Sequence, residues 1–123
     1  MPNGTPRVDL AKLSLLQKQQ LFARMAPRLL DKAHDLGFEC TLGDSYRDPR
    51  VFGAQGVRMG YGQAWSAHKN KLALDLNLFK RDAYLSDTEA HRELGEWWES
   101  QGGTWGGRFD DGNHYSLDHG GVK

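Results

Sequence analysis

Neither covalent cross-links nor membrane anchoring can account for a fold here. The chain has 123 residues and a single cysteine, Cys40, so no disulfide forms within it. Cys40 lies in an apolar run with Phe38 and Leu42, the setting of a buried structural thiol rather than a catalytic one. No apolar run is long enough to span a bilayer, which excludes stable membrane insertion as a helix. The first residues, Met1-Pro2-Asn3-Gly4-Thr5-Pro6-Arg7, lack the apolar core of a secretory signal. The expectation is a protein made in a cytoplasm with no export signal of its own. An excess of one charge is missing too, because 16 basic and 16 acidic residues cancel. A nucleic-acid partner normally leaves a basic excess or stripe, so that class is set aside.

What is present suits one small domain over 1–123, with 1–10 as an extended lead-in. Four Trp, four Tyr and five Phe supply large apolar surface for a modest core. Without disulfides, a bound metal is a common way to stiffen a domain of this size. Apolar positions from Leu13 to Leu36 recur at helical spacing, with Ser14 as a cap and Gly37 as a stop. Pro27 lies inside that stretch and predicts a kink or a break. Phe38 to Tyr46 alternates like a strand. Residues 51–66 hold Gly53, Gly56, Gly60 and Gly62 and read as a long loop of the functional kind. Leu72 to Phe79 reads as a strand. Ser86 and Glu89 form the pattern of a capping box, opening a helix that runs to Gln101 with Leu94, Trp97 and Trp98 inward. His114 to Leu117 reads as a last short strand. The order predicts an α+β domain, a small antiparallel sheet with flanking helices.

Metal-capable side chains concentrate in two segments, His68 to Asp75 and Asp110 to His114. A hydrolytic zinc site needs three protein ligands and an open position, and two His with one carboxylate is a fitting set. Asp75 stands among Leu74, Leu76 and Leu78. By alternation it shares a face with Asn77, so two accounts stand open: a solvent-facing polar strand face, or a carboxylate kept there by a metal. Asp111, three residues before His114, is placed to act as general base and then general acid. His34 and His91 read as ordinary helix-face histidines, and His119 as solvated or supporting.

Taken together, the two segments resemble the M15 family of zinc peptidases. The resemblance rests on Ser66-Ala67-His68, then Asp75 in Leu72 to Phe79, then Trp105-Gly106-Gly107-Arg108-Phe109 and Asp111-Gly112-Asn113-His114, in that order and spacing. That family includes D-alanyl-D-alanine carboxypeptidases of the VanY type and phage endolysins that cut the L-alanyl-D-glutamate bond of peptidoglycan. The short single-domain phage and prophage members are the most similar. The resemblance implies a Hedgehog/DD-peptidase-like fold, Zn2+ as cofactor, and His68, Asp75 and His114 as its ligands. It implies Asp111 as the catalytic acid/base, with Asp110 as the rival carboxylate, and Arg47 and Ser66 as substrate-binding residues. Where many members have Gly three residues after the first His, this chain has Lys71.

The implied function is a zinc metallopeptidase acting on the peptidoglycan stem peptide as a monomer, with no nucleic-acid partner. An L-alanyl-D-glutamate endolysin is the first expectation. It would wait in the cytoplasm of an infected host and reach the cell wall or periplasm once the membrane is permeabilised. The alternatives are a D,D-carboxypeptidase and a non-catalytic zinc-bearing binding or virion module of the same fold. Lys69, Lys71, Lys80 and Arg81 are candidates for attracting an anionic wall.

Overall fold

The computed structural model describes residues 9–123; most of the lead-in read over 1–10 lies outside the described residues. The chain enters through a short 3-10 turn, Leu10–Lys12, and then α1 spans Leu15–Asp35. Ser14 caps α1 as expected: its side chain accepts from the Gln17 amide, and the Gln17 side chain accepts from the Ser14 amide. Pro27 neither breaks nor divides α1, which runs through it as one helix. The reason is position: Pro27 and Ala23 both face solvent. The Ala23 carbonyl that loses its partner can therefore be hydrated. The opposite stripe, Phe22, Met25, Leu29 and Ala33, is buried against the sheet.

The strands are β1 (Glu39–Leu42), β2 (Ala73–Lys80), β3 (Ala83–Leu85), β4 (Thr104–Trp105) and β5 (His114–Ser116), with the short helix α2 at Pro49–Phe52 and α3 at Arg92–Ser100. The sheet is antiparallel in the order β1-β2-β5-β4, and β3 pairs with the end of β2. The hairpin to β3 has no counterpart in the sequence reading. β1 is shorter than the alternation suggested, and Leu42 stays exposed rather than joining the core. Leu74, Leu76 and Leu78 all point into the core, as their parity requires.

The start of the last helical region differs from expectation. The residue whose side chain caps the Thr88–His91 turn is Asp87, accepting from Ala90, not Ser86. α3 itself begins only at Arg92. Its inward residues are Leu94, Gly95 and Trp98, while Trp97 is half-buried beside Lys32. His91 is not a helix-face histidine either. It is buried, and its Nδ1 shares a 2.8 Å hydrogen bond with the Tyr115 hydroxyl. Burial in that apolar setting depresses its pKa to about 4. No described helix is long and apolar enough to cross a membrane.

Candidate metal centre

Asp75 and His114 are direct cross-strand partners in the β2–β5 register. Opposite residues of an antiparallel pair point to the same face, so the pairing alone brings both side chains together. The Asp75 backbone is held on its other edge as well: its amide donates to Asp44 O at 2.7 Å and its carbonyl accepts from Gly43 at 2.8 Å. Gly43 packs closely there, where a Cβ would lie 3.1 Å from the Asp75 Cβ. The two accounts of Asp75 therefore merge, since the polar face of β2 is the face that carries the cluster.

His68 arrives from the 3-10 turn Ala67–Asn70 that precedes β2. Ser66 caps this turn, its Oγ accepting from the His68 amide at 3.2 Å. The His68 ring is buried, and its Nδ1 lies 2.7 Å from the Ser45 carbonyl. A carbonyl only accepts, so Nδ1 carries the proton and the Nε2 lone pair faces Asp75 Oδ1 at 3.1 Å. Two acceptors at that distance repel unless a proton or a cation lies between them.

The third member, His114, brings Nδ1 to 3.8 Å from Asp75 Oδ1. Burial, and then the neighbouring His68, lower its pKa to about 4, against the pull of Asp75. Its imidazole is thus neutral and able to ligate at neutral pH. One donor atom from each of His68, Asp75 and His114 falls within 4.8 Å of the others. Tetrahedral zinc with bonds near 2.05 Å sets its ligand atoms about 3.3 Å apart. The set fits that ion in donor chemistry, and the 3.1 Å between His68 Nε2 and Asp75 Oδ1 is close to that spacing, while His114 Nδ1 stands wider at 3.8 Å from the same oxygen.

The segment before His114 explains why tryptophan and glycines stand there. Trp105 is fully buried, and its indole N–H donates to Gly112 O at 2.7 Å, fixing the turn from Asp111 to His114. A Cβ on Gly106 would meet Asp111 O at 2.1 Å and His114 Cβ at 2.6 Å. Only glycine lets the turn close this tightly, through Asp111 N to Gly106 O at 2.8 Å and His114 N to Asp111 O at 3.0 Å. Asp111 then places its carboxylate 3.8 Å from His114 Nδ1. Partial burial, and then the Asp75 charge, raise its pKa above the ordinary carboxylate value. Asp110 instead takes the left-handed backbone position that ends the preceding turn, with φ of 59°.

Arg47 lies beside the cluster, with Nη2 at 3.9 Å from Asp75 Oδ2. It donates through Nε to Asp44 at 3.2 Å and through Nη1 to Ser66 Oγ at 3.3 Å. Tyr61 lies over the guanidinium at 5.4 Å and donates its hydroxyl to the same Asp44. The sequence reading found Arg47 and Ser66 but missed Asp44, Tyr61 and Gln55. Gln55 binds both the amide and the carbonyl of Ser66, at 2.9 and 2.6 Å. An acid three residues before Arg47 is a weak signal for Asp44; Gln55 and Tyr61 carry none.

Lys69 is a correction. It is buried, and its ammonium donates to the carbonyls of Ala54, Val57 and Ala64 at 3.2, 2.7 and 2.9 Å. All three of its protons are used inside the protein, so Lys69 is not available to meet an anionic wall. His119 is away from the cluster too, its Nδ1 3.0 Å from the Lys18 ammonium.

One cleft of about 910 Å³ is lined by Arg47, Trp65, Ser66, His68, Asp111 and His114 among others. Two imidazoles, the carboxylates of Asp75 and Asp111 and a guanidinium grouped at one cleft are the parts of a metal-assisted hydrolase. Residues 60–117 match the M15 peptidase model described as D-alanyl-D-alanine carboxypeptidase. The matched stretch contains Ser66, His68, Asp75, Asp111 and His114, whereas Arg47 lies before it. No curated protein sequence matches the chain. The match covers 58 of the 123 residues and makes this stretch similar to M15 peptidases.

Proposed function

We propose that this chain is a zinc-dependent L-alanyl-D-glutamate endopeptidase that acts as a phage endolysin on the stem peptide of peptidoglycan. The observation that carries the hydrolase reading is the His68–Asp75–His114 cluster, with Asp111 beside it in a cleft. Zinc held by these three residues would supply Lewis acidity for the scissile carbonyl and for an attacking water. Asp111 takes the proton released by that water and passes it to the departing amine. Its raised pKa suits both halves of that transfer. Arg47, held by Asp44 and Ser66, presents its guanidinium to the acyl oxygen as negative charge grows there.

The finer assignment, to the first peptide bond of the stem, is supported by the resemblance to short phage members and by the roomy cleft. An endopeptidase must admit chain on both sides of the bond. Such an enzyme works on the wall from the periplasmic side after the membrane is permeabilised. A second reading, a D-alanyl-D-alanine carboxypeptidase, is favoured by the description of the matched family model. Digestion of purified peptidoglycan followed by mass spectrometry separates the two. New amino termini on D-glutamate support the endopeptidase. Release of free D-alanine alone would replace it by the carboxypeptidase, and an intact stem would overturn both.

A further inference from the structure

The four tryptophans of this chain are not used alike. Trp98 and Trp105 are fully buried, and each spends its indole N–H on backbone carbonyls. Trp97 is half-buried beside Lys32. Trp65 is 62% exposed, lines the catalytic cleft, and makes no ring contact or side-chain hydrogen bond among the described residues. Leaving the largest apolar side chain in water is unfavourable, and an exposed aromatic at a cleft marks a ligand contact.

Its exposure does not come from a loose segment. Lys69 ties the loop at Ala54, Val57 and Ala64. Gly56 N bonds Ala64 O at 2.9 Å, and Gln55 clamps Ser66, the residue after Trp65. Gly56 also lies against the indole, where a Cβ would come within 2.8 Å of it. The loop thus holds a bare aromatic surface in place before any ligand arrives, which lowers the ordering cost of binding.

We propose that Trp65 forms a saccharide subsite for the N-acetylmuramoyl sugar joined to the stem peptide. This rests on the endopeptidase reading above, because cleavage of the first stem bond puts that sugar one residue from the scissile carbonyl. A pyranose ring offers an apolar C–H face and a rim of hydroxyl and acetamido groups. Trp65 offers the matching flat apolar surface, and Gln63 beside it in the cleft offers polar partners for the rim.

The test is calorimetric binding to the zinc-loaded Asp111→Asn chain, which leaves the substrate intact. The probes are a disaccharide-linked pentapeptide and the same pentapeptide capped by acetyl. The sugar-linked form should bind about tenfold tighter, the effect of one stacked aromatic ring. Adding Trp65→Ala should bring the ratio toward one, and Trp65→Phe should keep most of it. Equal affinities in the Asp111→Asn chain, or a Trp65→Ala loss shared equally by both probes, would overturn the subsite. The endopeptidase reading is judged separately, by where the wild-type chain cuts the sugar-linked probe.

Discussion

Two sides of the cleft are built on different principles. On the sheet side, Asp75 and His114 are placed by strand register, and His68 by a capped turn entering the same strand. On the loop side, Arg47, Ser66, Tyr61 and Trp65 stand on residues 43–66, where the only regular element is the four-residue α2. That side is held by polar side chains reaching the backbone: Gln55 to Ser66, Lys69 to three carbonyls, Tyr61 and Arg47 to Asp44. A sheet places groups by a repeating ladder that one substitution seldom destroys. A loop of this kind depends on a few individual contacts, each of which can be removed. In the proposed reaction the sheet side carries the chemistry and the substrate meets both sides.

The sharpest way to separate the two sides is Asp111→Asn. It removes the proton carrier and leaves all three sheet-side ligands, so activity should fall by about 10²–10⁴-fold. Bound zinc, read by atomic emission, should stay at the wild-type level. Loss of zinc in this variant would mean that Asp111 belongs to the ligand set.

Lys69→Met probes the loop side. It leaves three carbonyls without their ammonium, and hydrogen bonds to charged groups are worth about 1.5–3 kcal/mol each. We expect a lower melting temperature and a raised KM for stem peptide, with zinc content unchanged. A change in zinc content with KM untouched would reverse the division of labour drawn here.

Acid should act on the sheet side first. His91 braces β5 through Tyr115, and burial holds its folded pKa at about 4, below the ordinary histidine value of 6.5. Between those values the unfolded chain binds the extra proton and the folded chain does not. Stability is therefore complete above pH 6.5 and declines as pH falls toward 4, by roughly 2–3 kcal/mol from this group. His114 titrates in the same direction in the metal-free protein. Urea midpoints measured across that range check the expectation, and His91→Gln should flatten the part of the slope due to His91.

The smallest effect expected is at Lys71. It ends the turn carrying His68 in a left-handed conformation, with φ of 59°, which non-glycine residues adopt at a cost of about 1 kcal/mol. This is the position where many proteins of the family it resembles have glycine. Lys71→Gly should raise stability by less than about 1 kcal/mol, because the Lys71–Tyr46 contact at 5.0 Å is lost in exchange. Denaturation midpoints decide it.

The same comparison explains what could be read from the sequence. Helical spacing in α1 and the alternation of Leu74, Leu76 and Leu78 follow from burial, so the main elements and the polar face bearing Asp75 were legible. The cluster was legible through residue type and order. The β3 hairpin was not, since Arg81 and Asp82 make its turn at positive φ without any glycine. The cap at Asp87 was misread because Ser86 offered an equally good pattern one residue earlier. The loop-side network was invisible for a deeper reason. A glutamine, a tyrosine and a lysine in a glycine-rich stretch have no period, and only the folded backbone determines which carbonyls they meet. Lys69, read as a cation facing an anionic wall, and His91, read as a helix-face histidine, are buried because specific partners compensate them.

The central claim is that His68, Asp75 and His114 hold one zinc ion on which peptide hydrolysis depends. The most direct measurement is the rate of stem-peptide cleavage by one sample before chelation, after it, and after addition of one equivalent of zinc. The account predicts full activity, none, and full activity again, with no recovery in an Asp75→Ala sample treated in parallel. Cleavage that persists in the fully chelated protein would contradict it.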